Sequence, residues 1–272
     1  LEREKEQMTQ SSEKTKPVIA ADRDSSYWQP AQQLSEQLLL PLIPLADGAF
    51  TGEGLALTVG AQGVSLTDGS LTLQADFTQN LGRIHRLGQE LLVKAARVKG
   101  AEHPLLIDAT AGLGEDSLLL AAAGFRVQLY EYDPVIAALL ADGLRRAAAH
   151  PQLAPIVGRM QLFAQDSTAV LPHLAVRPDV ILLDPMFPGR QKSALVKKKF
   201  QLLQQLESPC SGEQELLNAA LAARPKKIII KRPVKGPYLA GVKPSHSYTG
   251  KAVRIDCIVP PPPGEQIYNR GQ

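Results

Sequence analysis

The stretch "LLIDATAGLGEDSLLLAAAG", residues 105–124, decides the fold. Its first residues form an apolar run of strand length, "DATAGLG" is a tight turn of small residues, and Glu115 to Ala123 predicts a helix. Gly112 and Gly114 carry no Cβ, so the backbone at this turn can approach a ligand closely. The helix that follows points its unpaired first-turn amides at the same spot. Taken alone, the unit also fits an ordinary strand-to-helix turn.

Outward from this unit the pattern repeats. "RVQLYEYD", "MQLFAQD", "DVILLD" and "KKIIIKRP" read as further strands, and "KAVRIDCIVP" as a late one. Between them "PVIAALLADGLRRAAAH", "SALVKKKFQLLQQL" and "EQELLNAALAA" have helical character. Strands rich in Val, Ile and Leu that alternate with helices imply a mostly parallel sheet covered by helices on both faces, an α/β architecture. Upstream, Leu81, Ile84, Leu87, Leu91, Ala95 and Val98 recur on one face, predicting a helix from Asn80 that stops near Gly100. Residues 17–80 alternate apolar and polar positions between glycine-containing turns, as in "GLALTVGAQGVSLTDGSLTLQADF", which predicts a small β-rich subdomain of short antiparallel strands. Residues 1–16 are polar and charged and read as a disordered tail, which leaves residues 81–272 as the main domain.

Composition narrows the possibilities. The 272 residues are 44% hydrophobic and 21% charged, ordinary for a globular protein, and a net charge of +3 identifies no anionic partner. Cys210 and Cys257 are the two cysteines, far apart and outside any CxxC pattern; with five scattered histidines they argue against a disulfide framework and against a metal site. No apolar run is long enough to span a bilayer, and the start of the chain lacks a signal-peptide core. The expectation is a cytoplasmic protein with no membrane partner.

Candidate ligand-binding residues sit at the carboxyl ends of successive strands, where open α/β sheets bind their ligands. Glu131 ends the second strand and can accept from both hydroxyls of a ribose; Tyr132 beside it offers a flat face to an adenine. Asp166 can accept from an adenine amine and Ser167 can add a polar contact, or the pair can simply cap the next helix. Together these residues describe a nucleoside-containing cofactor. The dinucleotide fingerprint would place a third glycine where this chain has Ser117, which weakens an NAD-type oxidoreductase reading.

The fourth strand separates hydride, phosphoryl and methyl transfer. "VILLDPMFPGRQK", residues 180–192, sets Asp184, Pro185, Phe187 and Pro188 at the mouth of an apolar run. "DPMFP" resembles the [NDS]-PP-[FYW] signature of S-adenosylmethionine (SAM)-dependent methyltransferases that act on planar amino groups, with Met186 in place of the second proline. In that chemistry Asp184 and the Pro185 carbonyl accept the two amine hydrogens, holding a poorly nucleophilic nitrogen against the methyl donor. Phe187 can stack on a base swung out of its helix.

Together, "DATAGLGEDSLLLAAAG", "DPVIAALLADGL", "LDPMFPGRQKSALVKKK" and "KRP" resemble the RsmJ family of bacterial 16S rRNA methyltransferases, most closely over residues 104–233. The resemblance implies a Rossmann-like class I methyltransferase fold with a seven-stranded sheet, SAM as cofactor, and methylation of a guanosine N2 amine in 16S rRNA of the small ribosomal subunit. Carried over by position, it implies cofactor contacts at Glu115, Asp116, Glu131, Tyr132, Asp166, Ser167 and Asp184. Arg190, Lys192, Lys231 and Arg232 adjoin the motif and are the expected phosphate contacts, with Lys197–Lys199 and Lys235 nearby. A non-catalytic RNA-binding module on the same fold is the remaining alternative.

Overall fold

The computed structural model describes residues 16–185, 202–203, 205–206 and 212–260. They fall into two compact units: one reaches to Leu73 and includes the described residues between 202 and 206, and the other comprises the rest from Gln74 onward.

The first unit is built on a five-stranded sheet, ordered β2-β1-β3-β4-β5. Its strands are β1 (Val18–Ala21), β2 (Leu42–Pro44), β3 (Ala56–Gly60), β4 (Gly63–Thr67) and β5 (Thr72–Leu73). The β3–β4 and β4–β5 pairs are antiparallel, as the alternating sequence predicts. The other half differs: β1 runs parallel to both β2 and β3. Two parallel neighbours need a crossover rather than a hairpin. The connection from β1 to β2 is helix α1 (Trp28–Leu38), which the strand-only reading of this region missed. Ile19, Ala20, Leu57 and Leu66 are fully buried in this unit.

The second unit carries a seven-stranded sheet in the order β11-β12-β10-β9-β6-β7-β8. The strands are β6 (Leu105–Asp108), β7 (Arg126–Tyr130), β8 (Met160–Phe163), β9 (Val180–Leu183), β10 (Lys227–Pro233), β11 (His246–Thr249) and β12 (Val253–Ile258). Strands β6 to β10 are parallel, and β12 pairs antiparallel with both β10 and β11. The chain builds outward from β6 through β7 to β8, then returns past β6 to β9. That reversal opens a crevice at the carboxyl ends of β6 and β9. Strand β11, "HSYT", is mostly exposed; with no apolar alternation it left no signal in the sequence.

Alternating side chains feed two cores. Leu106, Val180, Leu182, Ile229, Ile255 and Cys257 pack on one face with α4 (Glu115–Ala122) and α3 (Leu91–Ala96). Ile107, Ile181, Leu183, Ile228, Ile230 and Ile258 pack on the other with Leu216, Leu217 and Ala220 of α8 (Glu213–Ala222). A sheet covered on both faces explains why β9 is an unbroken apolar run. Helix α5 (Pro134–Ala148) begins with Asp133 accepting from the amides of Val135 and Ile136 at 2.9 and 3.0 Å, and Pro134 fits the first turn because its missing donor is not needed there.

The single helix expected from Asn80 is instead broken. A 3₁₀ turn at Phe77–Asn80, α2 (Leu81–Ile84), a second 3₁₀ turn at Leu87–Gln89 and α3 replace it. Gly82 and Gly88 each weaken a helix by about 1 kcal/mol, and Glu90 adopts an extended conformation (φ −70°, ψ 120°) before α3. Glu90 is also gripped by Arg83 through two bonds of 2.9 Å, which folds the segment back on itself. The apolar residues still reach the core: Leu92, Ala95 and Ala96 are buried there, with Leu81, Ile84, Leu91 and Val98 packed around them. The helix expected over 193–206 lies outside the described residues except 202–203 and 205–206, which are helical.

Gly143 of α5 packs directly on the chain at Ala75: an added Cβ would lie 2.6 Å from the Ala75 carbonyl oxygen. Gly143→Ala is therefore expected to lower stability by about 1–2 kcal/mol in urea denaturation, overpacking outweighing alanine's better helix propensity.

Candidate active site

Strand β6 delivers Asp108 to the crevice fully enclosed, 2% exposed. Its Oδ1 accepts from the Thr110 amide at 3.1 Å and its Oδ2 from the Ser117 hydroxyl at 2.7 Å. Burial pushes its carboxyl up to about 7, against the opposing pull of those two hydrogen bonds. The turn that follows has Gly112 at φ 53° and Gly114 at φ 76°. The two glycines serve different ends. A Cβ on Gly114 would strike Leu140 at 2.7 Å, so this position is fixed by packing. A Cβ on Gly112 would meet nothing within 4 Å, so this position leaves open space above the turn.

Strand β7 delivers Glu131, 4% exposed. Its Oε2 accepts from the Gly112 amide and its Oε1 from the Asp133 amide, both at 2.9 Å. The carboxylate is thereby locked to the glycine turn. Tyr132, next to it, is 57% exposed. After β8, Asp166 caps α7 (Ser167–Val170), accepting at Oδ1 from the Thr168 amide at 2.8 Å and the Thr168 hydroxyl at 2.7 Å. Ser167 is buried and donates to the Ala109 carbonyl at 2.8 Å, which ties α7 to the exit of β6. Both residues thus help to hold α7 in the fold.

At the exit of β9, the Asp184 amide donates to the Thr110 hydroxyl at 2.7 Å, so the acid motif and the glycine turn are bonded to each other. The Asp184 carboxylate pairs through Oδ2 with Lys231 Nζ at 2.9 Å, and the same ammonium binds Asp116 Oδ2. Burial raises Asp184 above the usual carboxylate range, Lys231 opposes that, and Asp116 adds to it. Burial also works against the charge on Lys231, but the two carboxylates outweigh it and hold the ammonium well above the ordinary lysine range. Next to this cluster a cleft of about 320 Å³ is lined by Arg83, Arg86, Glu90, Asp116, Lys231 and Ile255, among others.

The structure therefore gathers Gly112, Glu115, Asp116, Glu131, Asp184 and Pro185 at one edge of the sheet, with Gly114 buried beneath the turn. The expected phosphate contacts need correction. Arg232 is 1% exposed; its guanidinium bonds Glu213 at 2.8 Å and the Pro237 carbonyl at 3.1 Å on the opposite face from Lys231, and so cannot reach a phosphate. Lys231 is committed to two carboxylates inside the site rather than to solvent. Phe187, Arg190, Lys192 and Lys197–Lys199 lie outside the described residues. The sequence reading missed Asp108, Thr110 and Ser117, which hold the site together. Period-two alternation along "KKIIIKRP" was the available signal that Lys231 and Arg232 face opposite ways.

The residues present suit a nucleoside cofactor: a glycine turn with open space above Gly112, a ribose-type acid fixed by two amides, and the first turn of α4 opening onto the same crevice. The comparisons agree. A family model described as "SAM-dependent methyltransferase" matches residues 51–260, which sets the class. Among individual relatives, the "Ribosomal RNA small subunit methyltransferase J" of Thioalkalivibrio sulfidiphilus is 43% identical over 240 residues, covering 84% of this chain and 92% of that protein. Its namesake in Pseudomonas aeruginosa is 37% identical over 258 residues, covering 92% and 96%. The crystal structure of a SAM-dependent methyltransferase from Neisseria gonorrhoeae superposes with a TM-score of 0.71 at 31% identity, covering 92% of this chain and 97% of that one. The chain belongs to the ribosomal RNA small subunit methyltransferase J family. It is a SAM-dependent enzyme, and the oxidoreductase alternative falls.

A buried carboxyl raised to about 7 favours folding only while protonated, so Asp108 should cost stability as pH climbs from 3.8 through about 7. Denaturation of the Asp108→Asn variant across that range should show wild type losing stability relative to the variant as pH increases.

Proposed function

We propose that the chain methylates the exocyclic N2 amine of a guanosine in 16S rRNA of the small ribosomal subunit. The observation that carries this reading is the bond from the Asp184 amide to Thr110, which fixes the acid motif against the glycine turn. The relatives' names supply the RNA class, and the chemistry of the motif supplies the amine.

When bound, SAM supplies an electrophilic methyl group on a positively charged sulfur. The chain's own part is to place the acceptor. The lone pair of an amine on a base is delocalised into the ring; Asp184 and the Pro185 carbonyl, as acceptors of its two hydrogens, hold the nitrogen in line and favour a tetrahedral nitrogen as positive charge grows there. No strong base is needed during attack, because the amine proton becomes acidic only after the methyl has moved; Asp184 or water then takes it. Glu131 holds the ribose and Tyr132 flanks the adenine on the β7 side. Glu115, Asp116, Asp166 and Ser167 border that cofactor site. The cleft beside Lys231, above β10 and β12, lies on the other side of Asp184. Its floor of Leu91, Leu92, Val253 and Ile255 with a charged rim suits a flat base with polar edges. Phe187 stacks on that base, and Arg190 and Lys192 hold RNA phosphates without reading sequence.

Incubation with labelled SAM and small subunits lacking the modification, followed by nucleoside mapping, tests the reading; label on N2-methylguanosine is expected, and label elsewhere or none overturns it. Asp184→Ala should slow transfer by on the order of 10²–10³-fold while changing S-adenosylhomocysteine affinity far less in calorimetry. Normal turnover in that variant would remove Asp184 from the chemistry.

A further inference from the structure

We propose that Lys231 is a positioning residue for methyl transfer: its ammonium, bridged between Asp116 and Asp184, keeps Asp184 ionised and aimed at the amine. The inference rests on the acceptor role given to Asp184 above and extends it to a residue on a different strand.

The geometry is specific. Lys231 is the fifth residue of β10 and faces the same side of the sheet as Ile229, toward α4. From there Nζ reaches Asp184 Oδ2 at 2.9 Å and also contacts Asp116 Oδ2. One cation thus joins the exit of β9 to the first turn of α4. Among the described residues, Asp116 from α4 repels its charge, while Arg232, the neighbour of Lys231 on β10, favours it weakly from the far face. Asp184 in turn helps to raise the carboxyl of Asp108 on β6.

This arrangement answers a problem in the proposed chemistry. An ionised Asp184 presents acceptors only, whereas protonation turns one of its oxygens into a donor that faces the amine hydrogen it should accept. Burial and the neighbouring Asp116 both push Asp184 toward protonation. Lys231 supplies the main counterweight. It occupies one lone-pair position on Oδ2, and a carboxylate has about four such positions, so acceptor capacity remains for the amine. Its second bond, to Asp116, stops the ammonium from swinging out to solvent.

The acid limb of the pH–rate profile distinguishes positioning from a merely structural role. In Lys231→Met the limb, set by ionisation of Asp184, should move up by about 1–3 pH units, with activity returning at higher pH. Lys231→Arg should bring the limb back toward wild type, because the charge is restored. Transfer to small subunits at saturating SAM is the readout, with S-adenosylhomocysteine affinity measured in parallel. A rate loss of equal size at every pH in Lys231→Met, with the limb unmoved, overturns the proposal. If Lys231→Met does not fold, Lys231→Gln takes its place, and an unmoved limb in that variant overturns the proposal equally. These failures differ from failure of the underlying reading, in which Asp184→Ala itself would retain normal turnover.

Discussion

The buried carboxyl of Asp108 is the constraint on which the site depends. It ends β6, takes the Ser117 hydroxyl from α4 on one oxygen and the Thr110 amide on the other. Thr110 in turn receives the Asp184 amide, and Ser167 reaches the carbonyl of Ala109. Four crossings of the chain meet around three consecutive residues. A polar group so enclosed is tolerated only when its bonding capacity is used, and here the partners that satisfy it are the segments that must be held in place.

Around that anchor the charges are distributed unevenly. Asp116 and Asp184 converge on a single ammonium, that of Lys231, with the buried carboxyl of Asp108 near Asp184. The surplus of negative charge suits a cofactor that carries a positive sulfur and a reaction that passes that charge to an amine. Nearby, Glu131 is held by amides from two segments, so it is already oriented before any ribose arrives. The crevice is preorganised by hydrogen bonds within the second unit alone.

Much of this was legible in the sequence because the parallel sheet writes itself plainly: β6, β7, β8, β9 and β10 are apolar runs followed by turn residues, and each turn residue lands at one edge. The glycine turn, Glu131 and Asp184 are expected at strand exits for that reason, and the structure places them there. What escaped did so for physical causes. Strand β11 is a polar edge with no buried face to impose alternation. The broken helix after Asn80 kept its apolar periodicity while glycines and the Arg83–Glu90 pair interrupted its backbone. Lys231 and Arg232 looked equivalent as adjacent cations, and only three-dimensional pairing separates an ammonium in the crevice from a guanidinium under α8.

That last pair has an evolutionary corollary. Lys231 and Arg232 stand on opposite faces because side chains along a strand alternate, so the identity of each depends on an uninterrupted count from Ile228. Insertion or loss of one codon within β10 would trade their places, putting a guanidinium among the acids of the crevice and leaving Glu213 to face a shorter, differently shaped cation. A change of length ahead of Lys231 within these seven residues would therefore reach the crevice directly, whichever residue was added or lost.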